Sequence, residues 1–428
     1  MIKNKVGKFL TAIVSLLALT AIIVTLTACS SEVLLINENG NYPVLNYGYV
    51  SVNVPQETVQ SNYDVAINTV ESTPTDKTRV EIIEDIRPAV VDVYGYAYNG
   101  SSAGSGVIIA STVESDKEYY FIVTNHHVIE GCTSFEASLL FINEETDEET
   151  YDTYDATLIG GSPSRDIAVI RIEKKANETI KSATAVADSD KVKVGMDVIA
   201  IGNPLGVLGG TVTMGVVSAK AREVSVSDIG TMTLMQTDAA IKSGNSGGGL
   251  FDENGDLIGV VNSGYSSYEG LNFAIPANDA IYATESLINT YDDSEEVPYG
   301  YVVGDTEIGI TCGAMNLYEN STSNVRSSYV VGITTDNTSL LYTEWEDYYK
   351  AILGVRVDYA EDGKETAEVS VTSMTEMSAI MKTIKAGDSV TFKYKDVLTT
   401  GNFMNQRQYL GSEEKTVTVT ATQYVYSI

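Results

Sequence analysis

Between Arg79 and Leu287 the chain is a string of short apolar runs, VVDVYGYA, GVIIA, YYFIVT, DIAVIRI, DVIAIG, VTMGVVSA and LIGVVNSG, each cut off by Gly, Asn, Asp or Pro. Hardly any helical period competes with them, and short β-branched and aromatic runs between turn residues fit strands. So many short strands bury themselves only by forming a sandwich or a closed barrel, which predicts an all-β unit. One hairpin is nearly spelled out: in Asp252-Glu253-Asn254-Gly255-Asp256, Asn-Gly supplies the positive φ angles of a tight turn between LF and LIGVV.

The flanks differ. Ser30 to about Thr78 is polar, rich in Asn, Ser, Thr and Tyr, and without a sustained period, as expected of a spacer. Beyond the acidic stretch Tyr291 to Glu296, a second region runs to Ile428 and mixes strands with a helix predicted from Thr375 to Ile384. With 428 residues, 43% of them apolar, the chain has material for two domains with proper cores.

At the N-terminus Lys3, Lys5 and Lys8 precede an apolar run from Phe9 that closes on Leu26-Thr27-Ala28-Cys29. This is similar to a bacterial lipobox, which predicts a signal peptide over 1–28, a spacer over 29–79 and lipidation at Cys29. The alternative is an uncleaved membrane-spanning helix, since the run approaches the roughly 20 residues that cross a bilayer. Either way the remainder lies outside the cytoplasm. The net charge of −31 repels nucleic acid and anionic headgroups, which argues against both as major partners. Cys132 and Cys312 make no disulfide framework and read as buried free thiols. The acidic insert INEETDEETYDTYD, residues 142 to 155, lacks EF-hand spacing and its central Gly, and reads as a solvated hairpin tip.

The chemistry concentrates elsewhere. In GNSGGGLF, residues 244 to 251, glycines flank Ser246, so the backbone turns sharply and consecutive N–H groups point into one hollow. That suits a nucleophile with an oxyanion hole, although Gly-Asn-Ser-Gly also makes ordinary turns. A serine hydroxyl needs a base to take its proton, and the chain has two histidines, His126 and His127, side by side after YYFIVT. On extended chain, neighbours point to opposite faces, so one of the pair faces a cleft. Zinc is the rival use, but no HExxH helix or Cys/His cluster supplies further ligands, and no metal or other cofactor is expected. Asp166, at the lip of the apolar strand in SRDIAVIRIE, is where a fixed carboxylate would hold the imidazole; the same residue also suits the end of a turn after Ser162-Pro163-Ser164.

Together these segments resemble the HtrA (Deg) family of trypsin-like serine proteases: GSGVII (104–109), TNHHV (124–128), DIAVIRI (166–172), AIGNPLG (200–206), TVTMGVVSA (211–219), QTDAAIKSGNSGGGLF (236–251) and LNFAIP (271–276). The resemblance implies His127, the residue before Val128, as base, with His126 in a variable surface or loop position. Asp166 would orient His127, Ser246 would attack, and the N–H groups of Gly244 and Ser246 would form the oxyanion hole. Val261, Asn262, Ser263 and Gly264 would be the edge that pairs with an extended substrate. Ser243 and Gly249 depart from the family, which often has Pro or Arg at the first position and Pro or Ala at the second.

The fold implied is mostly β, a trypsin-like double β-barrel over 80–290 followed by a smaller α+β, PDZ-like domain over 297–428. In the latter, Glu307-Ile308-Gly309-Ile310 resembles a carboxylate-binding loop, and residues 373–394 with 414–422 resemble a PDZ helix and its closing strands. The function implied is extracytoplasmic quality control, cleaving unfolded or misfolded exported polypeptides. C-terminal peptides would be PDZ ligands, and the family implies a homotrimer, for which Tyr42, Tyr47 and Tyr49 offer packing. The rival reading is a non-catalytic or latent chaperone that uses the same cleft and tail.

Overall fold

The computed structural model describes residues 49–50, 65, 67–143, 145–176, 178–180, 185–203, 209–226, 230–264, 270–294, 298–303, 305–307, 310–333, 349–360, 368–381, 383–400 and 407–424. The signal segment, Cys29, Tyr42, Tyr47 and most of the spacer lie outside these residues, as do Ile308 and Gly309.

Two short strands come first, β1 (Tyr49–Val50) and β2 (Thr69–Val70), followed by helix α1 (Arg79–Ile86). The Thr78 hydroxyl accepts the Glu81 N–H while the Glu81 carboxylate accepts the Thr78 N–H, a reciprocal cap that starts α1. Its inward Ile82 and Ile86 are buried. This helix departs from the all-strand expectation for 79–287.

The first barrel comprises β3 (Val90–Ala97), β4 (Gly100–Glu114), β5 (Lys117–Thr124), a one-turn helix α2 (His126–Ile129), β6 (Ser134–Ile142), β7 (Glu149–Ser162) and β8 (Ile167–Glu173). Its strands close antiparallel in the order β3-β4-β5-β8-β7-β6, with β6 returning to β3. The β4–β5 hairpin turns on Ser115 and Asp116, both left-handed at φ 48° and 68°, without a glycine. Of the acidic insert, 145–148 form an exposed tip between β6 and β7, but 149–155 are part of β7 with Tyr154 buried; Glu149, which opens that strand, holds Arg87 at 2.7 Å.

The second barrel follows through β9 (Val186–Ala187), β10 (Asp197–Gly202), β11 (Thr211–Val226), β12 (Gly230–Thr237), β13 (Gly249–Asp252), β14 (Leu257–Gly264) and β15 (Asn272–Pro276), and ends in helix α3 (Ala277–Thr290). The order β10-β11-β12-β15-β14-β13 closes because β13 pairs with both β10 and β14; β9 and β2 extend β14 in parallel. The β13–β14 turn is wider than Asn-Gly predicts: only Gly255 is left-handed, at φ 86°. Asp252 Oδ1 accepts the N–H groups of Asn254 and Asp256 at 2.8 and 3.0 Å, which stretches the loop over four residues.

The apolar runs of β5, β8, β10 and β13 are continuous because both faces of these strands are covered. Ile122 and Ile170 fill the first barrel, and Val198 and Leu250 fill the second. Their neighbours Phe121, Val123, Val169, Ile199, Ile201 and Phe251 meet between the barrels, where α3 adds Leu287. Fully burying each of these large side chains contributes about 1.5–3 kcal/mol.

The chain then runs along the outside of the first barrel. Gly300 N–H donates to Ile159 O at 2.7 Å, Tyr301 N–H donates to Thr290 Oγ1 at 2.7 Å, and Tyr282 Oη donates to Val303 O at 2.8 Å. A Cβ at Gly300 would stand 1.9 Å from Leu287 O, so only glycine permits this approach. The smaller α+β unit begins with β16 (Thr306–Glu307) and continues with β17 (Thr311–Tyr318), β18 (Arg326–Ile333), β19 (Lys350–Asp358), β20 (Val369–Ser370), α4 (Met374–Met381), β21 (Ser389–Thr400), β22 (Arg407–Leu410), β23 (Lys415–Thr420) and β24 (Thr422–Gln423). Strands β17 to β23 form one sheet with Val355, Phe392, Met377 and Met381 in its core, while β1, β16 and β24 form a small sheet beside it. Helix α4 stops three residues before the predicted Ile384, because the N–H groups of Thr383 and Ile384 turn back to Ile380 O and Met381 O.

Candidate active site

The cleft between the barrels gathers His127, Asp166 and Ser246. His127 is the second residue of α2, whose first turn follows Asn125. The histidines therefore stand on a helical turn rather than on extended chain. They still diverge, but His126 is the inward one, 4% exposed, which corrects the expectation of a surface or loop residue. Burial pushes its pKa down to about 4, with a small opposing pull from Asp166. The His127 side chain keeps 37% exposure and faces the cleft.

Asp166 follows a short turn, Pro163–Arg165, and adopts the left-handed conformation at φ 52°, one that Asp tolerates better than most residues. Fully buried, it accepts from the His127 N–H at 2.9 Å through Oδ1 and stands 2.8 Å from His127 Nδ1 through Oδ2. Burial alone would lower the His127 pKa, but the charge and hydrogen bond of Asp166, with the charge of Glu130, outweigh it and raise the value above the ordinary one.

Two asparagines complete the carboxylate's setting. Asn262 Nδ2 donates to Asp166 Oδ2 at 2.6 Å, and Asn125 Nδ2 donates to Asp166 O at 2.9 Å. As part of the expected substrate edge, Asn262 contributes only its backbone. The signal was there: an amide in the apolar run LIGVVNSG is a polar group at a buried position, which demands a partner.

Ser246 lies in a tight turn closed by Asn245 N–H to Lys242 O and Gly248 N–H to Asn245 O, both at 2.9 Å. Gly244 at φ 97° and Gly247 at φ 85° make the turn, and a Cβ on Gly247 would stand 2.1 Å from Ser105 O. Ser105, buried on β4, ties this loop down. Its N–H donates to Ser246 O and its hydroxyl to Gly244 O, both at 2.8 Å. The N–H groups of Gly244 and Ser246 meet no acceptor among the described residues and are free for a ligand. The Ser246 hydroxyl donates to Asn262 O at 2.8 Å, and among the described residues no hydrogen bond joins it to His127.

The expected substrate edge is shorter than Val261 to Gly264. Val261 spends its N–H on Gly248 O and its C=O on Gly247 N, each at 2.8 Å, which takes its backbone out of the edge. Gly249 departs from the family for a local reason, since a Cβ there would stand 2.3 Å from the Phe251 ring. Ser243 is exposed and touches nothing that explains its identity.

Residues 104–260 match the Trypsin-like peptidase domain. Over 371 residues the chain is 30% identical to the serine protease Do-like HtrA of Bacillus subtilis, covering 78% of this chain and 73% of that protein. The chain belongs to the HtrA family of serine proteases. It is also 41% identical over 188 residues to the periplasmic serine endoprotease DegP of Escherichia coli, covering 43% of this chain and 35% of that protein. A solved serine endoprotease from Yersinia pestis aligns with 82% of this chain and 100% of its own at 22% identity and a TM-score of 0.45. As a family member with this peptidase domain, the chain is a serine endopeptidase built on a double β-barrel.

Proposed function

We propose that His127, Asp166 and Ser246 are the catalytic triad of an extracytoplasmic quality-control protease that cleaves unfolded or misfolded exported polypeptides. An extended substrate pairs with the strand edge from Asn262 to Gly264, which brings a scissile carbonyl over Ser246. His127 Nε2 takes the hydroxyl proton as Ser246 attacks, and Asp166 stabilises the imidazolium that forms. The oxyanion settles on the N–H groups of Gly244 and Ser246. His127 then returns the proton to the leaving amine, and water repeats the sequence on the acyl-enzyme. The observation that carries this reading is the 2.8 Å contact of Asp166 with His127 Nδ1, which leaves Nε2 as the ring nitrogen available to act as base.

One observation favours a second reading, a latent enzyme or scaffold: the Ser246 hydroxyl is engaged by Asn262 O and must rotate to reach His127. Reaction with a fluorophosphonate separates the two. Prompt labelling at Ser246, lost in Ser246→Ala, supports a competent enzyme, and no labelling of the folded protein supports the scaffold.

The same proposal divides the chain into a lipoprotein signal peptide (1–28), a spacer (29–79), the protease (80–290) and a PDZ-like domain (297–428). It anchors the chain to the membrane through lipid on Cys29 and gives the PDZ-like unit C-terminal peptides as ligands. The assembly is a homotrimer, to be tested by analytical ultracentrifugation. Cys29→Ala should abolish the lipid and release the protein from detergent phases; a variant that stays membrane-bound with the wild-type N-terminus points to an uncleaved helix.

A further inference from the structure

Asp305, the residue before β16, is 1% exposed, and the proposed mechanism makes no use of it. Three side chains of one short turn converge on its carboxylate. Arg165 Nε donates to Oδ1 at 2.9 Å, Ser164 Oγ donates to Oδ2 at 3.3 Å, and Ser162 Oγ donates to Oδ2 as well. Arg165 is 7% exposed and lies over the Tyr282 ring of α3, 5.1 Å from its centroid. The next residue is Asp166, whose N–H closes the turn on Pro163 O at 3.1 Å and whose φ of 52° sets the direction of its side chain.

We propose that Asp305 is a positioning residue for peptide hydrolysis, clamping the turn Ser162–Arg165 so that Asp166 is held against His127. The proposal rests on the triad reading above. A buried ion pair gives little net stability over a well-packed apolar pair, because both charges are stripped of water. What it supplies is direction: a guanidinium and two hydroxyls aimed at one carboxylate leave the turn a single seating. The adjoining left-handed aspartate has few conformations in which its carboxylate meets both the backbone N–H and the ring of His127. Asp305 itself lies outside the barrels, on the segment that leads into β16. Tyr424 N–H donates to Asp305 O at 3.1 Å, so the seating of the smaller unit and the aim of Asp166 share one residue.

Two variants test it, Asp305→Asn and the paired Arg165→Met/Asp305→Leu, the second replacing both charges so that neither is buried alone. Fluorophosphonate labelling of the wild type and its loss in Ser246→Ala are measured alongside. Both clamp variants should lose kcat on the order of 10- to 100-fold with KM nearly unchanged, since the substrate edge is elsewhere and a small misplacement suffices. Their acid limb should move to lower pH, because His127 loses part of the support of Asp166 while Glu130 and His126 stay as they are. A folded paired variant with the wild-type kcat and acid limb overturns the positioning role even if its Tm has changed. A wild type that the probe never labels overturns the triad reading instead.

Discussion

The two histidines differ by one position and by every physical measure that matters. His127 must be neutral to take a proton, so activity should rise with pH through its pKa, which lies above the ordinary imidazole value of about 6.5. His127→Ala should abolish peptide hydrolysis and the acid limb with it. His126 acts on stability. Its folded pKa of about 4 lies below the unfolded value, so the unfolded chain takes the proton first as pH falls. Stability is therefore whole above about pH 6.5 and declines towards pH 4, by about 3 kcal/mol from this residue. Urea unfolding of wild type and His126→Asn across this range should give a flatter profile for the variant, while kcat at neutral pH stays within a few fold. Equal slopes would show that His126 is not buried neutral. Asn262→Ala should lower kcat by about 10-fold by leaving Asp166 Oδ2 with His127 Nδ1 but without its amide donor, with KM changed less; an unchanged kcat in steady-state hydrolysis would remove Asn262 from the carboxylate's support.

At the scale of elements, strands were legible because a two-sided burial leaves unbroken apolar runs, and β5, β8 and β10 follow them closely. Short helices were not. Four residues of α2 carry no period, and its cap at Asn125 has no side-chain hydrogen bond to mark it. The glycines around Ser246 and the strand lip at Asp166 point to those two residues, while the choice of His127 rests on motif resemblance; Asn262 shows only as a polar group in an apolar run, and Arg165–Asp305 leaves no spacing to read because it joins distant segments. The nucleophile turn shows the same dependence on three-dimensional fit. Gly247→Ala should cost about 1–3 kcal/mol and displace Ser246, since the Cβ meets Ser105 O at 2.1 Å in a left-handed position. Chemical denaturation and probe labelling should both register it, and a variant of wild-type stability would mean that the loop can back away from β4.

Across the whole molecule, the acidic stretch after α3 reads in composition as a boundary, and in structure the segment just after it is stitched to both barrel and helix. Amides 300 and 301 should exchange slowly with deuterium, and chymotrypsin or thermolysin should spare 298–303 in the native protein; prompt cleavage there would show that the stitch opens. The backbone of this stretch is held against Ile159 and α3, which makes it part of the protease unit in everything but position along the chain. A protease fragment ended at residue 290 would leave Ile159 O, Thr290 Oγ1 and the Arg165 guanidinium facing water. One ended after Asp305 would carry its own stopper, and grafts that exchange the smaller unit between relatives would do best with the seam on that side of the plug.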